Sequence, residues 1–265
     1  MNKFLKDNLK TKTMRIEVYL CSQCNLRCRY CARYSNFASK WFYDYDKLIS
    51  DLKHLTAIGV DCITLTGGEP LLYPRFEDLI KELRTFYKGY CNFMSNGKLL
   101  QLKADSFYKL LNQNNIDILY SMYKGINYNI IKARCFRHKV SFIMGTNGLV
   151  TNFSNNKYSE PKTEDQNNLE KKLEFCDETC PCLFDGKIYE CGRSALINFF
   201  NEKSENFKIS LESSDSIDVK DLSSKDDFFK FASTPISMCK YCHNIGGQRY
   251  KWTNKCGSAL DWVEV

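Results

Sequence analysis

Apolar residues in the first 150 positions concentrate in short segments, at residues 14–20, 62–66, 90–94, 116–122 and 140–144. Each is short and often β-branched or aromatic, the pattern of strands buried on both faces of a parallel sheet. Between them the period changes to that of an amphipathic helix. Leu48, Ile49, Leu52 and Leu55 share one stripe, with Asp44 placed to cap its start and Gly59 to stop it. Phe76, Leu79, Ile80 and Leu83 repeat the pattern between Pro74 and Gly89. Phe107, Leu110 and Leu111 mark a third helix, and Ile126, Ile130 and Ile131 a fourth. Alternating strands and helices predict an α/β fold with right-handed crossovers.

Residues 151–172 turn polar and are expected to be a linker between a core at 1–150 and a smaller unit at 173–265. Seven cysteines lie in that second unit, with a charged, apolar-poor stretch near residues 201–227. So short a unit gains stability from a metal centre.

Composition narrows the classes. Apolar residues make up 43% and charged residues 26%, as in a globular protein. The first residues carry lysines with no apolar stretch after them, unlike a secretory signal. No run approaches the roughly 18 apolar residues of a spanning helix. A cytoplasmic protein is expected, with no membrane or nucleic-acid partner, because the net charge of +7 comes from lysines interspersed with acids. Fourteen cysteines in such a chain point to reduced thiols kept for metal or redox chemistry.

Directly after the first strand stands Cys24-Asn-Leu-Arg-Cys28-Arg-Tyr-Cys31. Three thiolates on one loop can hold an iron–sulfur cluster and leave one iron open to a small molecule. A structural zinc built on Cys28 and Cys31 with a distant pair is the alternative. Cys21 is expected to end the strand, and Cys62, Cys91 and Cys135 to be inert core residues. The three histidines follow no ligand spacing.

The triplet, with Tyr30 before its last cysteine, resembles the radical S-adenosylmethionine (SAM) superfamily signature. Thr66-Gly67-Gly68-Glu69-Pro70 resembles that family's SAM amino-group motif, Ser95-Asn96-Gly97 its turn after the third strand, and Ser121 its serine-bearing strand. The resemblance implies a partial parallel (β/α) barrel and a [4Fe–4S] cluster on Cys24, Cys28 and Cys31. It also implies SAM bound near Tyr30, Gly67, Gly68, Glu69, Pro70, Ser95, Asn96 and Ser121. Reductive cleavage of SAM would then give a 5′-deoxyadenosyl radical, with a flavodoxin or ferredoxin as electron donor.

Cys176, Gly186 and Cys191 resemble the opening of the family's SPASM and twitch extensions, and Cys239 and Cys242 add a C-x2-C pair. The resemblance implies a second, auxiliary [4Fe–4S] cluster on these four cysteines, with Cys180 or Cys182 as substitutes for Cys176. Four-thiolate zinc is the alternative there. Lys187, Tyr189, Arg193 and Arg249 lie near this site in sequence. The layout resembles the aminocyclitol dehydrogenase of butirosin biosynthesis. The expected function is oxidation or epimerisation of a small polar substrate such as a sugar or cyclitol. A peptide-modifying maturase is the alternative within the family, and a non-enzymatic zinc module the alternative outside it.

Overall fold

The computed structural model describes residues 11–150, 152–155, 157–161, 169, 176, 180–242 and 248–263. Five parallel strands come first: β1 (Arg15–Tyr19), β2 (Cys62–Thr66), β3 (Tyr90–Ser95), β4 (Ile116–Met122) and β5 (Phe142–Leu149). Helices α1 (Tyr45–Ala57), α2 (Phe76–Phe86), α3 (Asp105–Gln113) and α4 (Tyr128–Arg137) join them. The sheet continues past β1 through β7 (Cys182–Phe184), β8 (Lys187–Tyr189) and β9 (Ser216–Asp218), in the order β5-β4-β3-β2-β1-β7-β8-β9. β7 runs parallel to β1, and β8 and β9 run antiparallel to their neighbours. The sheet is open, with β5 and β9 at its edges, so it is a partial barrel.

Local chemistry accounts for the element ends. Asp44 accepts a hydrogen bond from the Lys47 backbone N–H at 3.0 Å and caps α1. Gly59 follows the helix at φ +91°, where a side chain would be strained. The expected fourth helix is shifted: Ile126 precedes α4, Asn127 caps it, and Ile130 is exposed. Tyr128, Ile131 and Cys135 form its buried face instead. β5 begins two residues later than the apolar run suggests and extends to Leu149.

Most of the buried apolar side chains described beyond 173 gather in a second cluster, which also takes in Tyr19, Tyr34 and Tyr158 from earlier in the chain. Helix α5 (Gly192–Lys203) puts Phe199 and Phe200 into an aromatic cluster with Tyr19, Tyr34, Tyr158 and Trp262. The apolar-poor stretch spends its few apolar side chains inward, since Phe207, Ile209, Val219 and Leu222 are all buried. Helix α6 (Lys225–Ala232) packs Phe228 and Phe229 into the main core. Burying large aromatics against the first half is the main apolar gain open to so short a segment.

Much of the expected linker falls outside the described residues. What is described is anchored: β6 (Asn152–Asn155) pairs antiparallel with β10 (Gln248–Lys251), and Tyr158 is fully buried with its N–H on the Trp262 carbonyl at 2.7 Å. The Tyr158 and Tyr34 hydroxyls are hydrogen-bonded to each other.

Candidate metal and SAM site

Parallel strands deliver their C-terminal ends to one edge, where α/β sheets place ligands. The loop after β1 carries Cys24, Cys28 and Cys31 there, and all three line one cleft with Tyr30. Gly67 and Gly68 after β2, Ser95 and Asn96 at the end of β3, and Ser121 of β4 line the same cleft, whose volume is about 250 Å³. Nine of the expected site residues therefore share one cavity although the first and last are 97 positions apart.

The glycines are required by a backbone contact. A Cβ on Gly67, at φ +149°, would lie 2.5 Å from the Cys21 carbonyl oxygen, and one on Gly68 2.3 Å from that of Gln23. The Gly68 and Glu69 N–H groups donate to these two carbonyls, each at 2.8 Å. The Gly-Gly pair thus seats the cysteine loop on the end of β2, in addition to lining the cleft.

Glu69 and Pro70 are not among the cleft's lining residues. Glu69 is fully buried, and its carboxylate accepts from Ser95 Oγ and the Asn96 N–H, both at 2.9 Å, and from the Leu71 N–H at 3.4 Å. Burial raises its pKa to about 7 against the three hydrogen bonds that lower it. Pro70 opens the short 3-10 turn that Glu69 caps.

Two side-chain N–H donors are aimed at cysteine sulfur, beside the Leu26 backbone N–H, which donates to Cys24 Sγ at 3.4 Å. Asn96 Nδ2 stands 3.7 Å from Cys24 Sγ while also donating to Asn25 Oδ1 at 2.8 Å. Trp252 Nε1 stands 3.1 Å from Cys28 Sγ. Burial pushes the Cys28 thiol up to about 11, opposed by the Trp252 hydrogen bond, and raises Cys24 and Cys31 as well. Three thiols on one loop at the strand ends, with N–H groups directed at their sulfurs, suit cluster thiolates. The donor set fits an iron–sulfur group. Tyr123 is a further lining residue that the sequence reading missed, as it did Trp252; their rings lie 5.4 Å apart.

The second cysteine group is held by α5 and a 3-10 turn at Ser237–Tyr241. Cys191 is the N-cap residue of α5, and Cys239 and Cys242 stand at the turn. Burial is the first cause raising Cys191, to about 12, and Cys239, and these two thiols and Cys242 lie within electrostatic reach of one another. Cys182 is fully buried on β7, raised first by burial and then by Glu17 and Cys191. Cys180 is raised by burial and then by Glu17 and Cys182. Cys176 is half-buried. Of the basic neighbours, Arg193 is buried with its guanidinium over the Trp262 ring, whereas Lys187 and Arg249 are exposed. Tyr189 is half-buried.

Among the described residues no three Cys, His, Asp or Glu side chains are gathered tightly enough to hold one metal ion. Tetrahedral zinc with Zn–S bonds of about 2.3 Å would require sulfurs about 3.8 Å apart. Cys62, Cys91 and Cys135 are buried in the core. His54 reaches the Leu222 carbonyl and His138 lies beside Asp105. His243 lies outside the described residues.

An open parallel sheet with three thiols, a Gly-Gly seat and a Ser-Asn turn at its strand ends defines an iron–sulfur class of α/β protein. Residues 18–147 match the family model of the Radical SAM superfamily, which makes this part of the chain a radical SAM domain. Such a domain implies a [4Fe–4S] cluster and SAM. Over 121 residues the chain is 31% identical to GTP 3′,8-cyclase of Synechocystis sp., spanning 44% of this chain and 35% of that protein. With GTP 3′,8-cyclase of Clostridium perfringens it shares 27% over 152 residues, 48% of this chain and 47% of that one. The chain thus spans less than half the length of these relatives.

Among solved structures, BtrN in complex with AdoMet and 2-DOIA is similar with a TM-score of 0.52 at 16% identity, covering 92% of this chain and 98% of that one. Native anSMEcpe with bound AdoMet gives 0.51 at 17%, over 85% and 83%. At such identities the likeness is one of fold. No helix among the described residues is long and apolar enough to cross a membrane.

Proposed function

We propose that this chain cleaves SAM reductively and oxidises or epimerises a small polar substrate, using a second [4Fe–4S] cluster as electron relay. The observation that carries the reading is the convergence of Cys24, Cys28 and Cys31 with Gly67, Gly68, Ser95, Asn96 and Ser121 on one cleft. When bound there, a cluster and SAM supply a 5′-deoxyadenosyl radical that removes a substrate hydrogen.

The chain's own residues hold that chemistry in place. Cys24, Cys28 and Cys31 are the ligands of the first cluster, and Asn96 orients Cys24 through its amide. Tyr30, Gly67, Gly68, Ser95 and Ser121 contact SAM. Glu69, with Pro70 shaping its turn, sits behind the cleft lining, where a nearby ammonium would favour its ionised form. Tyr123 lines the cleft wall with its ring against Trp252.

Cys191, Cys239 and Cys242, with Cys176 as fourth ligand, hold the auxiliary cluster. Their mutual electrostatic contact disfavours thiolates in the metal-free chain, so a bound cluster, helped by the helix N-terminus beneath Cys191, would be what holds the three sulfurs ionised. The C-x9-G-x4-C spacing selects Cys176, and Cys182, in reach of Cys191, is the nearest substitute. A substrate radical must lose or gain one more electron to become a closed-shell product, and a nearby fully ligated cluster can exchange it. BtrN, similar in fold along nearly its whole length, is described with a small molecule, 2-DOIA.

A peptide substrate is the second reading, since anSMEcpe is also described with AdoMet and the Kp18Cys peptide at a TM-score of 0.51. Anaerobic incubation with SAM, dithionite and separate pools of aminocyclitols, amino sugars and short peptides distinguishes them. A dehydrogenated or solvent-deuterated small molecule supports the proposal, and modification of peptides alone replaces it with the maturase. Iron analysis of C176A, C182A, C191A, C239A and C242A tests the auxiliary ligands.

A further inference from the structure

The cysteine loop is clasped by a segment more than 200 positions away in sequence. The Tyr250 ring stacks on Tyr30 with centroids 4.1 Å apart. The Arg27 N–H donates to Asn254 Oδ1 at 2.7 Å, and the Arg29 N–H to the Thr253 carbonyl at 3.2 Å. The Arg29 guanidinium grips both Asp261 carboxylate oxygens, at 2.5 and 3.1 Å. In the middle of this clasp Trp252 directs its indole N–H to Cys28 Sγ at 3.1 Å, and its ring lies against Tyr123 on the far wall of the cleft.

Indole N–H is a donor with no other function in hydrogen bonding, and the half-buried Trp252 side chain aims it at a nearly buried sulfur. Hydrogen bonds to ligating sulfur are one of the means by which a protein sets a cluster's reduction potential. Negative charge on sulfur grows when the cluster takes up an electron. A donor fixed on that sulfur therefore stabilises the reduced state more than the oxidised one.

We propose that Trp252 is a positioning residue for the SAM-binding cluster: its indole N–H holds Cys28 Sγ and raises the potential at which that cluster accepts its electron. The inference rests on Cys24, Cys28 and Cys31 being the ligands of that cluster. Through the clasp, the segment at 250–261 becomes part of the environment of the first cluster as well as a neighbour of the second cysteine group. A cluster easier to reduce needs a less extreme donor to begin each turnover.

The test is a potentiometric titration of anaerobically reconstituted wild-type and W252F protein, followed by the electron paramagnetic resonance signal that changes when SAM binds. That response separates the first cluster from any other. Phenylalanine keeps a ring beside Tyr123 and removes the N–H. The expected result is a W252F potential more negative by about tenfold in the reduction equilibrium, about 59 mV for one electron. An unchanged potential, with iron content unchanged, overturns the proposal.

Should W252F lose its iron, benzothienylalanine at position 252, which has sulfur in place of the N–H, is measured in the same way. A lowered potential, or cluster loss from a chain whose circular dichroism is unchanged, supports the contact. An unchanged potential overturns it. Wild-type protein with no SAM-responsive signal would instead overturn the assignment of the cysteine triplet, a result distinct from either Trp252 outcome.

Discussion

The Glu69 carboxylate accepts the Asn96 backbone N–H at 2.9 Å, and by this bond the end of β2 fixes the turn after β3. Asn96 in turn reaches Asn25 and Cys24 on the cysteine loop. Three consecutive strand ends are thus locked around the cleft by one buried acid and one amide.

Replacing that acid tests the lock. E69A leaves the Asn96 and Leu71 N–H groups and the Ser95 hydroxyl without their acceptor. Unsatisfied buried groups cost about 1–3 kcal/mol each, so a loss of about 3 kcal/mol is expected, with SAM affinity lowered as well. S95A removes two hydrogen bonds, the one its hydroxyl donates to Glu69 and the one it accepts from the Gly97 N–H, and should cost about 2 kcal/mol. Urea unfolding and SAM binding by calorimetry check the ranking.

Tyr43 makes the corresponding tie to the other half of the chain. Its hydroxyl donates to the buried Asp51 at 2.7 Å and accepts the Gly186 N–H at 2.5 Å. Y43F leaves both partners unpaired, and a destabilisation of about 2 kcal/mol is expected. Urea unfolding of the metal-free protein gives the number.

Glu190, beside Cys191, is buried with one carboxylate oxygen lacking a hydrogen-bond partner. Burial first, then the neighbouring Asp215 charge, raises its pKa to about 8. The folded state therefore holds this proton more tightly than the unfolded chain, whose glutamate titrates near 4.5. Its contribution to stability is fully present below about 4.5 and is lost as pH rises through about 8. Metal-free E190Q should lose less stability than wild type between pH 5.5 and 8.5 and be the more stable of the two at the upper end. Paired urea titrations at both pH values decide it.

The cysteines divide by function in the same manner. C24A, C28A and C31A should each lose about four irons and all SAM cleavage. C91A removes a buried core thiol and should keep its iron while losing about 1 kcal/mol to the cavity. Iron analysis alongside thermal unfolding separates the two groups.

Much of this was legible in the sequence for definite reasons. Cys62–Thr66 and Ile116–Met122 were readable to the residue because short apolar-rich segments between amphipathic helices are the pattern of parallel strands. The nine cleft residues were readable because motifs at strand ends converge wherever a parallel sheet forms. Ile130 misled because an apolar residue can face solvent at little cost, whereas Tyr128 was overlooked because its ring takes the buried face of α4. Nothing local announces that β7 joins β1 or that Trp252 meets Cys28, because tertiary pairing across 165 and 224 residues leaves no periodicity. The role of Glu69 was half visible. Its motif pointed to the site, but only the three hydrogen bonds reveal a carboxylate turned into the protein.

The most direct test is the product of SAM itself. Anaerobically reconstituted protein, analysed for iron and sulfide and then given SAM and dithionite, should contain about eight irons per chain and release 5′-deoxyadenosine. The release should vanish in C28A. Zinc in place of iron, with SAM recovered intact, would contradict the account.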